Sequence, residues 1–243
     1  MGRIAAFHFP ADDLERAAAF YAKIFDWELA HDANAAAPYD TDPARTAGGV
    51  AAALIAREET LQHPIPIVEV DDADATLARL ERMGGKTAGG RGAFRYGFDP
   101  EGNALGLMAR NGARTGASSS GPGTIVNFHL PADDVARATA FYGELFGWQL
   151  RAFPGEIPYI VAEGATAGGP GIDLAIVRRD ATLKAPTPTL SAQWIDDTLA
   201  LIAMHQGQQA SVQDIPGIGR FGYARDCEGN TIAVLQPNLL RRS

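Results

Sequence analysis

The chain has 243 residues, 46% of them hydrophobic and 21% charged, and a net charge of −8. That acidic balance, with no Lys/Arg cluster longer than Arg241–Arg242, argues against attraction to nucleic acid or anionic lipid. A single cysteine, Cys227, excludes an internal disulfide framework, and the start MGRIAAFHFP lacks the apolar run of a signal peptide, so a cytoplasmic protein without a membrane span is expected.

In chain order, Arg3 to Phe9 reads as a strand stopped at Pro10. Asp12 is positioned as a helix N-cap with Glu15 three residues on, and Leu14, Ala17, Ala18, Tyr21, Ile24 and Phe25 fall at helical spacing. Trp27 to Leu29 resumes extended structure, and a loop with Pro38 and Pro43 leads to the strand-like Val50 to Ala56. Ile65 to Val70 is a second apolar, β-rich run. Asp71–Asp72 caps a helix whose Leu77, Leu80 and Met83 share a face, and Gly84–Gly85 ends it. Phe94 to Phe98, the turn DPEGN (Asp99–Asn103) and Ala104 to Ala109 predict a hairpin. The order is strand, helix, then two or three strands, run twice.

Residues 111–123, NGARTGASSSGPG, hold no large apolar side chain and read as a flexible linker between domains at 1–110 and 124–243. The second domain replays the first. His8 to Leu29 returns 121 residues later as His129 to Leu150, identical at thirteen of twenty-two positions, which points to duplication. A strand from Thr124 to Leu130, a helix from Asp133 to about Phe146, a strand from Leu190 to Ile195, a helix from Asp196 to about Gln206 and a closing hairpin around DCEGN (Asp226–Asn230) follow in order. Strand–helix units with runs of adjacent strands indicate α+β sheets with helices on one face.

The four modules, the ADDLERAAAFY opening and the DPEGN hairpin resemble the glyoxalase / bleomycin-resistance / extradiol dioxygenase group, the vicinal oxygen chelate superfamily. The resemblance spans nearly the whole chain outside the linker. It implies two tandem domains, each of two βαβββ modules forming a cupped sheet with helices outside, and, in the enzymes of the group, a divalent metal inside the cup. It also implies where the metal ligands would stand: Ala6 or Asn127 on the first strand, Ile65 or Leu190 on the strand before the second helix, and Gly106 or Ala233 after the closing turn. None of these six offers a His, Glu or Asp, so neither metal nor other cofactor is expected.

His8 and His129 lie on the cup side by strand alternation, either bonded within the sheet or lining a pocket and titrating near neutrality. The hairpin register sets Tyr96 opposite Gly106, Phe94 opposite Met108, Tyr223 opposite Ala233 and Phe221 opposite Leu235. That arrangement is read as core packing or as an aromatic wall for a flat ligand. Tyr39 and Tyr159 are candidates for a rim. Trp194, taken as the counterpart of Glu69, and Asn127 set the second cup apart. The expected ligand-binding set is His8, Tyr96, Asn127, His129, Trp194, Phe221 and Tyr223. The expected function is metal-independent binding of an aromatic or apolar small molecule. Two alternatives stand beside it: a lyase or dioxygenase-like enzyme with a non-standard site using His8 or His129, and an interaction module. A homodimer is left open.

Overall fold

The computed structural model describes residues 2–41, 50–110, 121–153, 160–162 and 172–238. The first half runs β1 (Arg3–Ala11), α1 (Leu14–Phe25), β2 (Leu29–His31), β3 (Tyr39–Thr41), β4 (Ala51–Ala56), then β5 (Ile65–Val70), α2 (Ala73–Arg82), β6 (Lys86–Arg91), β7 (Phe94–Phe98) and β8 (Ala104–Ala109). The second half repeats this as β9 (Ile125–Ala132), α3 (Val135–Phe146), β10 (Arg151–Ala152), β11 (Ile160–Ala162), β12 (Asp173–Arg178), then β13 (Thr187–Ser191), α4 (Ile195–Met204), β14 (Gln208–Ile215), β15 (Gly219–Arg225) and β16 (Thr231–Pro237). Each half forms one eight-stranded sheet, ordered β2-β3-β4-β1-β5-β8-β7-β6 and β10-β11-β12-β9-β13-β16-β15-β14. Two βαβββ modules thus join within a half, through antiparallel pairing of β1 with β5 and of β9 with β13. The linker residues 111–120 and Tyr159 lie outside the described residues. No helix among the described residues is long and apolar enough to cross a membrane.

Local expectations need correction: the strand expected from Leu190 to Ile195 is β13 at Thr187–Ser191, and Ile195 already opens α4. The cap of α1 is Asp13, whose side chain accepts from Arg16 N, so Asp12 and Glu15 form no capping box. The strands β6 and β14 had no sequence signal because KTAGGR and QQASVQDI are largely exposed edge strands, without a buried face to impose apolar alternation.

Alternate residues of β1 serve different layers. Ile4, Phe7 and Phe9 join the principal core with the helices, while Ala6 and His8 face the cup, the register shifting across Ala5. The principal core is shared by both halves: Phe7 meets Phe128 edge-on at 5.2 Å between ring centroids. The halves therefore join through their helix-bearing faces, which leaves the two cups on the faces turned away from the join.

The repeated turns lock this join, each reaching across to the opposite half. Asp99 accepts from the Tyr142 hydroxyl of α3 at 2.6 Å, and Asp226 from the Tyr21 hydroxyl of α1 at 2.7 Å. Glu101 accepts from the backbone N–H groups of Asp133 and Asp134, at 2.7 and 3.3 Å, and pairs with Arg137; Glu228 does the same with Asp12, Asp13 and Arg16. A carboxylate there satisfies N-terminal donors and the positive end of a helix dipole. Asn103 Nδ2 donates to the Pro131 carbonyl and Asn230 Nδ2 to that of Pro10, both at 2.9 Å. The recurring D-x-E-G-N and PADD sequences are two faces of one pseudo-symmetric latch.

Candidate functional site

Each cup floor is built from rows of cross-strand partners. In the first half, Ala51, Ala6, Ile67, Gly106 and Tyr96 lie abreast on β4, β1, β5, β8 and β7. In the second, the same row reads Asp173, Asn127, Thr189, Ala233 and Tyr223. A neighbouring row places Ala53, His8 and Ile65 together, and in the second half Ala175, His129 and Thr187. The hairpin pairings of Tyr96, Phe94, Tyr223 and Phe221 match those read from the turns.

Both histidines are tied to the tyrosine of the row beside them. His8 Nδ1 and the Tyr96 hydroxyl are 2.9 Å apart, and His129 Nδ1 and the Tyr223 hydroxyl 3.0 Å. Phe94 meets His8 edge-on at 4.6 Å, while Phe221 lies 5.7 Å from His129. Burial pushes the His8 imidazole down to about 3, with the Arg91 charge adding to the effect, and burial alone takes His129 to about 4. Burial raises the Tyr96 phenol to about 12. Near neutrality each imidazole is uncharged and shares a hydrogen bond with a tyrosine hydroxyl, which sets aside the alternative in which these histidines titrate there.

This neutrality predicts a pH signature. In the unfolded chain His129 protonates near 6.5, whereas in the fold it stays neutral to about 4. The unfolded state then binds the extra proton, so this residue's contribution to stability falls as pH drops from about 6.5 toward 4. The stability advantage of the wild type over His129→Gln should shrink by up to about 1.4 kcal/mol per pH unit across that window. Paired denaturant melts check it; a difference that holds constant from pH 7 to 4.5 would show the imidazole is not held neutral.

The two floors differ in chemistry. The first is filled by its own apolar residues: Ala6, Ile65, Ile67, Tyr96 and Met108 form one buried cluster. A Cβ on Gly106 would sit 2.3 Å from Ile67 Cδ1 and 3.3 Å from the Tyr96 ring, so that position is a cradle already occupied. Glu69, buried at its end, is ion-paired with Arg3 at 2.7 Å. In the second half Asn127 and Thr189 replace Ala6 and Ile67. Thr189 is 0% exposed, and both Thr189 Oγ1 and Asn127 Oδ1 are buried with no hydrogen-bond partner among the described residues. Ala175, Val177 and Leu183, with Val161 and Tyr223 packed beside them, supply apolar walls.

Sequence reasoning misplaced one residue and missed another. The register pairs Ile65 with His8 and Thr187 with His129, so Thr187, not Leu190, is the counterpart of Ile65. Leu190 corresponds to Val68 and faces the helices. Trp194 corresponds to Asp72: both are helix N-caps, and Trp194, 57% exposed, lines a crevice with Ile24 and Phe25 of the other half rather than the second cup. The true counterpart of Glu69 is Ser191. Thr189 was overlooked, although the alternation in TPTLS marked two threonines for one face. Tyr39 pairs with Leu54, stacks on His31 and packs against the principal core, so it forms no cup rim.

The Glyoxalase-like domain family matches residues 6–108, and the Bleomycin resistance protein-like N-terminal family matches residues 124–164. A "Glyoxylase-like domain-containing protein" of Didymella fabae is 31% identical over 122 residues, covering 46% of this chain and 92% of that protein. The chain is a glyoxalase-like member of the vicinal oxygen chelate superfamily. A full-length relative, named "Putative glyoxylase CFP32" in Mycobacterium tuberculosis, is 26% identical over 259 aligned positions, covering 93% of this chain and 91% of its own. The Mn(II)-bound glyoxalase from Novosphingobium aromaticivorans shares the fold with a TM-score of 0.57 at 17% identity, over 97% of this chain and 83% of that one. The 2,3-dioxygenase LapB from Pseudomonas sp. KL28 gives 0.59 at 13% identity, over 98% and 92%.

Among the described residues of these glyoxalase-like cups, the metal that this superfamily implies finds no fitting donor set. Three donors would have to come from the first, fifth and eighth strands of a half, or their second-half equivalents. The rows offer Ala6, Ile67 and Gly106, or Asn127, Thr189 and Ala233. One imidazole per cup, its Nδ1 engaged by a phenol, stands beside Ile65 or Thr187. Among the described residues no group of three or more His, Cys, Asp or Glu side chains is arranged to hold a metal ion. One exposed carboxylate, Asp173, beside neutral amide and hydroxyl oxygens is a poor site for a transition metal.

Proposed function

We propose that the protein binds a small aromatic or apolar molecule in its second cup, without a metal. The observation that carries this reading is the row Asn127–Thr189–Ala233–Tyr223, in which two buried polar atoms lack partners among the described residues. A buried unpaired hydroxyl or amide oxygen costs about 1–3 kcal/mol, and a bound molecule that supplies the missing partner recovers that cost. Apolar walls around a few convergent polar groups are the usual make-up of a small-molecule site. His129 and Asn127 orient the ligand, Tyr223 and Phe221 form its aromatic wall, and Thr189 completes the floor. In the first half His8 and Tyr96 are the corresponding pair, in a cup closed by its own side chains.

An enzyme using His8 or His129 as a base has less support, because burial holds both imidazoles far below neutrality. Calorimetric titration of flat aromatic probes into the intact protein tests the proposal. Tyr223→Ala should weaken binding by about tenfold, equivalent to ~1.4 kcal/mol and typical of a lost aromatic contact. Trp194→Phe should leave it unchanged. Binding lost with Trp194→Phe and kept with Tyr223→Ala would move the site to the crevice between the halves.

A further inference from the structure

Resting on that reading, we infer that the ligand of the second cup is a non-anionic molecule whose ring edge carries an N–H donor beside a carbonyl acceptor, as in a lactam or imide. Asn127 and Thr189 are directly paired on adjacent antiparallel strands, which holds their Cβ atoms roughly 4.5–5.5 Å apart on one face. The two unpartnered oxygens therefore address neighbouring atoms of one ligand. Asn127 Oδ1 can only accept, whereas the Thr189 hydroxyl has a hydrogen to give. Their joint complement is a donor next to an acceptor. A lactam edge presents both on adjacent ring atoms, and it also matches the amide if Asn127 turns its N–H groups inward.

Charge narrows the class further. A carboxylate in this position would set its oxygens against Asn127 Oδ1, leaving that acceptor unsatisfied and the anion desolvated. The histidine in the row beside it has its Nδ1 3.0 Å from a phenol oxygen, and burial keeps it without positive charge near neutrality. A purely apolar ring leaves both oxygens as they stand, so it gains nothing from the row. The first cup has Ala6 and Ile67 at these positions and cannot make the distinction. The polar row thus selects among flat molecules of equal size, which the apolar walls cannot do.

Four probes of similar size separate the possibilities: 2-quinolinone with donor and acceptor, quinoline with an acceptor only, naphthalene with neither, and the anion 2-naphthoate. Calorimetry on the full chain should rank 2-quinolinone at least about tenfold tighter than naphthalene, the yield of one to two net hydrogen bonds. Thr189→Val and Asn127→Ala should each weaken 2-quinolinone by about tenfold and leave naphthalene within about twofold. Both variants remove an unpartnered buried oxygen, so their unfolding midpoints should equal or exceed the wild type's, showing that lost affinity is not lost fold. Equal binding of 2-quinolinone and naphthalene, tightest binding of 2-naphthoate, or a 2-quinolinone preference that survives both substitutions would overturn the inference while leaving an apolar cup in place. Failure of all four probes to bind would overturn the inference together with the reading beneath it.

Discussion

Replacing Asp99 by alanine is expected to lower the free energy of unfolding by about 3–5 kcal/mol, a third or more of a typical domain's stability. The Asp99 side chain accepts four hydrogen bonds: from the Tyr142 hydroxyl, from Asn103 Nδ2, and from the backbone N–H groups of Asn103 and Glu101. Burial pushes this carboxyl up, and those donors pull it back without fully cancelling the rise. Alanine would strand the donors in a site where Asp99 is 4% exposed, and orphaned buried donors cost about 1–3 kcal/mol each. Asp99 belongs to the first half and Tyr142 to the second, so the damage should cross the join. Hydrogen exchange should show α3 losing protection as well as the turn. Denaturant melts at 25 °C read the magnitude; a loss below about 1 kcal/mol, or one confined to the first half, would contradict the latch.

The second large effect concerns the place where the superfamily's carboxylate would stand. Gly106→Glu should destabilise by about 4 kcal/mol or more and should create no tight manganese site. Its Cβ would fall 2.3 Å from Ile67 Cδ1, in a cluster where Ile67 is fully buried and Tyr96 leans over the gap. Overpacking of this kind costs about 1–3 kcal/mol, and a desolvated carboxylate without a paired cation adds several more. The row neighbours Ala6 and Ile67 supply no second ligand. Thermal unfolding and metal titration together decide it. A variant that melts within a few degrees of the wild type and binds manganese tightly would show the cup is open rather than filled.

Much of the architecture could be read before any coordinates. The repeat of His8–Leu29 at His129–Leu150 announced the duplication, and the two five-residue turns fixed the hairpin registers that bring Tyr96 over Gly106 and Tyr223 over Ala233. Those signals are local, a turn residue and a period of two. The latch was not legible, because Tyr21 and Asp226 are 205 residues apart and nothing near either one names the other. Trp194 takes the place of Glu69 only if Leu190 is set opposite Ile65, three residues beyond Thr187, the position that the register pairs. Anchoring on Leu190 rather than Thr187 therefore shifted every later position in that comparison. The same slip hid Thr189, the residue that most distinguishes the second floor from the first.

The most direct test of the account is calorimetric titration of an aromatic probe that binds the wild type, repeated with excess chelator and with the variant Asn127→Ala/Thr189→Ile/Ala233→Gly. That variant gives the second row the residues of the first, Ala6, Ile67 and Gly106, a combination the fold already accommodates, whereas isoleucine opposite Ala233 would meet its Cβ. The account predicts an affinity unchanged by chelator and binding abolished in the variant, because isoleucine fills the floor as Ile67 does against Gly106 and Tyr96. An affinity that collapses with chelator and returns with a divalent ion, or undiminished binding to the variant, would contradict it.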